Sequence, residues 1–289
     1  MPITSFLFTV LLVLGPVLSM SSASWVYCWA GMEIGLLGLI PLLLSGKISS
    51  NKEASLKYFC LQALASVFLF VSGMYMFNVM SQGGVSSGVL LCALTLKLGL
   101  FPGHFWVPSV SVGVDWISCF LVLGPLKLPP FGFLASMSSC TSFMPSVVLF
   151  LGGLSAFAGG LIGLNQPKVR GMLGASSISH TGWASVGAVT GGMWSYVAIY
   201  LGVLALAMAY LWSKSMVASG VFILSMSGLP PFIMFAAKLN ILMELLSAAP
   251  GMYVYTALPL VGALVSLIFY LKFFYSFILS VSPASSSSL

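Results

Sequence analysis

The chain has 289 residues, of which 60% are hydrophobic and 5% charged, against about 25% charged in an ordinary soluble domain. Ten Lys/Arg and four Asp/Glu cannot clothe a soluble core of this length in a polar shell, so lipid must solvate most of the surface. The net charge of +6 is carried by basic residues scattered singly between apolar runs, which excludes the clustered basic patch of a nucleic-acid binder.

A bilayer core about 30 Å thick takes about 20 apolar residues per helix, and each span must satisfy its own backbone hydrogen bonds. Cutting at polar, Gly, Pro and Ser punctuation predicts an all-α, polytopic membrane helix bundle of about ten transmembrane helices. They fall at approximately 3–20, 25–45, 55–79, 86–107, 115–137, 145–164, 171–190, 193–212, 217–248 and 252–280. The first lacks the basic flank and small-residue cleavage site of a signal peptide and is expected to stay as a membrane helix. The fourth contains Gly99-Leu100-Phe101-Pro102-Gly103 and should break near its end. The ninth is too long for one straight helix and contains Ser227-Gly228-Leu229-Pro230-Pro231. Proline removes a donor and crowds the preceding turn, so this span should break too, freeing carbonyls that need a protein-lined or wet site. Two broken helices are therefore expected. Residues 1–280 read as a single transmembrane domain and 281–289 as a polar C-terminal tail.

Lys47, Lys52, Lys57, Lys168, Arg170, Lys214 and Lys272 all fall on connections, or span ends, on one side of this scheme. The opposite loops, around 20–25, 79–86, 137–145, 190–193 and 248–252, hold no Lys or Arg. Under the positive-inside rule both termini then lie on the matrix or cytoplasmic side. The cysteines Cys28, Cys60, Cys92, Cys119 and Cys140 are far apart, with no C-x-x-C pair, and read as small apolar fillers. No phosphate loop, dinucleotide fingerprint or spaced cysteine set is present, so no cofactor or metal is expected in this chain.

Glu33, Lys97, Lys127 and Lys238 remain, close to the middle of their predicted spans. A charge at the centre of a membrane helix costs about 2.5–3.5 kcal/mol, so four together cost on the order of 10 kcal/mol before compensation. One account is a structural pin, Glu33 pairing with Lys97. It leaves Lys127 and Lys238 unexplained, because one carboxylate cannot neutralise three ammonium groups. The other account is proton transfer: a lysine withdrawn from water is neutral part of the time and can take up and release a proton. His104 follows Lys97 by seven residues, two turns along the same face of an unbroken helix; Pro102 intervenes, so it is equally a candidate relay or a hydrogen-bonded structural histidine. His180, within Ser176-Ser177-Ile178-Ser179-His180-Thr181-Gly182-Trp183, is a second candidate relay, or an interhelical hydrogen bond. Asp115 and Glu244 lie near span ends or breaks and suit interface roles. Glu53 and Lys57 have helix-pair spacing, and Trp25, Tyr27, Trp29 and Trp194 fit an aromatic belt.

Several segments together resemble the subunit 2 family of mitochondrial NADH:ubiquinone oxidoreductase, respiratory complex I. They are Trp29-Ala30-Gly31-Met32-Glu33, Glu53-Ala54 with Lys57-Tyr58-Phe59, and the run from Leu94 through Lys97 to Phe105-Trp106-Val107-Pro108. Leu164-Asn165-Gln166 with Arg170, the serine run ending in His180-Thr181-Gly182-Trp183, and Gly228-Leu229-Pro230-Pro231-Phe232 with Lys238 complete the set. They occur in family order over about residues 25–275. The resemblance implies an antiporter-like, proton-translocating subunit of the membrane arm, in the inner mitochondrial membrane, with other membrane-arm subunits and lipid as partners. NADH, FMN, iron–sulfur clusters and ubiquinone would belong to other subunits. By the same resemblance Glu33 and Lys97 form a charge pair, Lys127 is the central relay, and Lys238 lies towards the exit. The short start looks like the animal mitochondrial form, and a final helix common in the family is expected to be missing. Ser109 stands where the family usually has an acid, and Gly124-Pro125-Leu126-Lys127-Leu128-Pro129-Pro130 is richer in proline than usual.

A stand-alone cation/proton antiporter is the alternative function, and a purely structural scaffold a third. The antiporter would need a cage of hard oxygen ligands that one mid-span acid does not supply.

Overall fold

The computed structural model describes residues 3–46, 49–78, 84–138, 143–247 and 252–281. Lys47, Cys140 and the tail from residue 282 lie outside the described residues. The described residues are almost wholly helical. In chain order, α1 spans Ile3–Ser21, α2 Trp25–Leu44, α3 Ser49–Gly73, α4 Gly84–Leu98 and α5 Trp106–Gly113. Then come α6 Trp116–Leu123, α7 Leu128–Ser138, α8 Met144–Leu164, α9 Val169–Thr190 and α10 Met193–Trp212. The last three are α11 Met216–Ser227, α12 Ile233–Ser247 and α13 Ala257–Val281.

Six segments are by themselves long and apolar enough to cross a membrane: Trp25–Leu44, Ser49–Phe77, Trp116–Ser138, Met144–Leu164, Met193–Trp212 and Val254–Ser280. The shorter helices α4 and α5, and α11 and α12, follow one another across the two expected breaks. At the first, Gly99 adopts φ +73° and residues 101–105 form turns. At the second, Gly228 adopts φ +80° before Leu229-Pro230-Pro231. A left-handed glycine is a common way to end a helix, because a Cβ at that position is strained. The first broken helix runs on to Gly113 rather than stopping at 107. Pro108 lies in the first turn of α5, where a missing N–H costs nothing, so the helix continues past it.

The structure adds a third interruption. Between α6 and α7 the chain makes a single 3-10 turn, Pro125–Lys127, after Gly124 at φ −114°, ψ −96°. Pro125 and the Pro129-Pro130 pair explain it, since each withdraws a donor and the residue before a proline resists helical geometry.

The core gathers around α9, which touches α5, α6, α7, α8, α10, α12 and α13. Every side chain from Gly171 to Ala188 on this helix is buried. That explains why its sequence is so rich in Ser and Gly: it meets protein on all sides, and close approach replaces lipid contact. A Cβ on Gly182 would lie 2.6 Å from the backbone nitrogen of Ala156 in α8, so only glycine allows this spacing. The same logic joins α1 to α2, where a Cβ on Gly15 would lie 2.6 Å from the Cα of Gly35.

Candidate functional site: a row of buried charges

Lys97 occupies the last turn of α4, and its Nζ lies 3.0 Å from Oε1 of Glu33 on α2. The lysine side chain is 4% exposed and the glutamate 24%, so the pair is buried chiefly on the lysine side. The carbonyls freed by the break behind it are answered by side chains. The Leu96 oxygen accepts the Trp106 indole N–H at 3.0 Å, and the Lys97 oxygen accepts the Gln62 amide at 3.3 Å. A cavity of about 20 Å³ adjoins Lys97, lined by Tyr58, Gln62, Leu126, Pro129 and Pro130, and about 10–15 Å³ suffices for one water. It therefore points from Lys97 towards the turn that carries Lys127.

Lys127 is 3% exposed. Its Nζ donates to Oγ of Ser177 on α9 at 3.4 Å, and that hydroxyl donates in turn to the Gly174 carbonyl. One helical turn further along α9, His180 is held from both sides. Its Nδ1 lies 2.8 Å from the Tyr196 hydroxyl of α10, and its Nε2 3.2 Å from the Tyr270 hydroxyl of α13. A tyrosine hydroxyl can donate or accept, so this clamp suits either tautomer of a neutral ring and, with both tyrosines accepting, the imidazolium. The ring of Tyr200 lies 4.8 Å away, and its buried hydroxyl has no hydrogen-bond partner among the described residues. His180 stands within electrostatic reach of both Lys127 and Lys238.

Lys238 closes the row. Its Nζ donates to the carbonyl of Ser227 at 2.7 Å and lies 5.9 Å from the Trp183 ring centroid. Ser227 is the last residue of α11, so the ammonium sits on the negative end of a half-helix. Lys97 has the same advantage from the last turn of α4.

The structure thus brings five of the six candidate residues, Glu33, Lys97, Lys127, His180 and Lys238, into one buried polar row. His104 is the exception. The spacing argument for it needed an unbroken helix, and Gly99 ends α4 before the second turn is complete. His104 instead packs between Phe101 and Phe105, with ring centroids 5.6 and 4.2 Å away. Asp115 accepts from Asn51 at 3.1 Å, and Glu244 from Thr190 and Asn240, as ordinary interface residues do. Glu53 and Lys57 pair at 2.6 Å on an exposed face.

Sequence reasoning missed Tyr196, Tyr200, Tyr270 and Gln62. Tyr270 is 90 residues from the histidine it touches. A tyrosine inside an apolar run looks like any other large core residue, and only the fold identifies it as a polar partner. The signal for Ser177 was present in the hydroxyl run around His180.

Interrupted helices that carry buried lysines in a membrane bundle define an antiporter-like subunit. The chain matches the NADH:quinone oxidoreductase/Mrp antiporter transmembrane family over residues 22–219 and belongs to it. Within that family it is similar to NADH-ubiquinone oxidoreductase chain 2 of Albinaria caerulea, at 31% identity over 97% of this chain and 91% of that one. The chain 2 of Branchiostoma floridae is 33% identical over 98% of this chain and 88% of the relative. Among solved structures, a chain of respiratory complex I from Thermus thermophilus superposes with TM-score 0.82 at 26% identity, covering 94% of this chain and 70% of that one. A chain of the Mrp complex from Dietzia shares the fold, with TM-score 0.83 at 18% identity over 92% of this chain and 59% of that one.

Proposed function

We propose that this chain is a proton-translocating membrane-arm subunit of a respiratory NADH:ubiquinone oxidoreductase. The observation that carries the reading is that the pairs Glu33–Lys97, Lys127–Ser177 and Lys238–Ser227 and the clamped His180 lie buried in one bundle, with a cavity leading from Lys97 towards the turn of Lys127 and His180 within electrostatic reach of Lys127 and Lys238. Each member can hold or release a proton, and each is anchored by a neighbour that tolerates either state. When Glu33 is drawn away or neutralised, the Lys97 ammonium loses its counter-charge and its proton is favoured to leave. One water in the adjoining cavity would accept that proton and deliver another to neutral Lys127. From Lys127 the hydroxyl of Ser177 and the His180 clamp lead on to Lys238, whose ammonium rests on the Ser227 carbonyl.

Residues 1–280 act as one transmembrane unit in this scheme. The chain lies in the inner mitochondrial membrane with both termini on the matrix side, the orientation that its one-sided basic loops favour. Electron transfer from NADH to ubiquinone, with its flavin and iron–sulfur groups, takes place in partner subunits.

The test is proton pumping by the intact complex in proteoliposomes, with Lys97→Met and Glu33→Gln as variants. Fewer protons per NADH in an assembled complex is the expected result; an unchanged ratio in both variants removes the row from the mechanism. A stand-alone antiporter would instead exchange cations for protons as the isolated chain in liposomes. The single mid-membrane carboxylate, already engaged by Lys97, argues against it.

A further inference from the structure

Away from the charge row, α6 and α10 diverge to leave an apolar groove of about 180 Å³ open to the outside of the bundle. Its floor is made by Ala205, Met208 and Ala209 of α10, and its wall by Ile117 and Phe120 of α6. Two alanines four residues apart lie on one helix face, so the depression is a consequence of the sequence of α10. One turn deeper, a Cβ on Gly202 would meet nothing within 4 Å, so the surface there is open as well.

The mouth of the groove has a different chemistry. Trp116 is the first residue of α6 and Trp212 the last of α10, and both line it, at the depth where indoles sit among headgroups. The Arg170 guanidinium lies 5.5 Å from the Trp116 ring centroid. Among the described residues it donates to the Val114 carbonyl, and an arginine carries five N–H groups. Lys214 follows Trp212 by two residues, and Lys168 precedes Arg170 by two. The one acid beside Trp116, Asp115, is engaged by Asn51. A short apolar groove rimmed by two indoles, with a guanidinium on one of them and lysines two residues away in the chain, is complementary to one class of molecule in a bilayer, a lipid with a negative headgroup whose upper acyl chain fills the groove.

We propose that the groove between α6 and α10 is a binding site for an anionic phospholipid, one acyl chain lying over Ala205 and Ala209 and the phosphate held by Arg170 and Lys214. The site does not depend on the pumping role and is tested without measuring it. The intact complex is reconstituted with trace phosphatidylglycerol or phosphatidylcholine carrying a diazirine in one acyl chain, illuminated, and digested. Labelling of α6 and α10 peptides should favour phosphatidylglycerol. It should fall to background in Ala209→Phe, which fills the groove. Lys214→Gln should reduce the preference by about fivefold, as expected for one basic residue near the headgroups. Equal labelling by the two lipids, or labelling unchanged in Ala209→Phe, overturns the proposal. So does capture of a neighbouring polypeptide by a photoreactive residue placed at Ile117.

Discussion

The ammonium of Lys238 lies 2.7 Å from the carbonyl oxygen of Ser227, across a break that the chain opens and then closes with its own side chain. The two residues are eleven positions apart, and only the interruption at 228–232 lets them meet. Gly228 makes room: a Cβ there would stand 2.8 Å from the lysine Nζ. The lysine therefore does two things at once. It satisfies a carbonyl that would otherwise be orphaned inside the bilayer, and it offers a titratable group at the end of the row.

Those two roles separate by substitution. Lys238→Met leaves the Ser227 carbonyl without its donor and should destabilise the protein by about 1–3 kcal/mol. Lys238→Gln retains a donor and should recover much of that loss. Neither side chain takes up or releases a proton at working pH, so both should abolish the contribution of this end of the row to pumping. Thermal midpoints of the purified complex and protons per NADH read the two effects separately. If Gln restores pumping as well as stability, the lysine is only a cap.

Glu33 and Lys97 should behave as a unit. Removing one partner of a buried ion pair commonly costs about 3–5 kcal/mol because the other charge is stranded, and the partial exposure of Glu33 places this pair at or below the lower end of that range. The double variant Glu33→Gln/Lys97→Met strands nothing. It should assemble better than Lys97→Met alone while pumping no better. Assembly yield on native gels, compared across the four members of the cycle, measures the coupling; additive losses would show that the pair is not coupled.

The three tyrosines around His180 divide two against one. Tyr196→Phe and Tyr270→Phe each remove the partner of one ring nitrogen, which costs about 1 kcal/mol for a neutral hydrogen bond and slows any transfer that passes through the ring. Tyr200→Phe removes a buried hydroxyl that has no hydrogen-bond partner among the described residues and should be neutral or slightly stabilising, with pumping unchanged. A thermal-shift series of the three variants distinguishes a specific clamp from general loss of polarity, since only the first explains an unequal response.

Much of this architecture was legible before the fold was known, and the reason is the solvent. In lipid a charge or a proline must have an explanation, so Lys97, Lys127, Lys238 and the runs at Pro102 and Pro230 stood out against apolar sequence. Span ends followed from the same contrast and agree with the helices to within a few residues at most positions. Illegible were the features that use residues common in any membrane helix. The turn at Gly124-Pro125 was visible as an excess of proline, but composition does not say whether a proline bends a helix or interrupts it. The tyrosines of the His180 clamp come from helices distant in sequence. The donors to the freed carbonyls, Gln62 and Trp106, are identified only once α3 and α5 are seen beside the end of α4.

His104 supplies the sharpest contrast between spacing and structure. Seven residues after Lys97, it would share a face with that lysine on a continuous helix. The break expected at 99–103 removes that premise, with Gly99 at φ +73°, and the imidazole packs against the rings of Phe101 and Phe105. The cavity beside Pro129 and Pro130 has room for a water next to Lys97, whereas His104 is packed against aromatic rings. His104→Gln, which keeps a polar side chain of similar length, should therefore leave protons per NADH unchanged, whereas His180→Gln should slow proton transfer through this chain by about 100-fold, the lower end for a lost positioned proton carrier, and so lower protons per NADH by this chain's share. The reverse order would move the path away from the α9 row and onto the loop between α4 and α5.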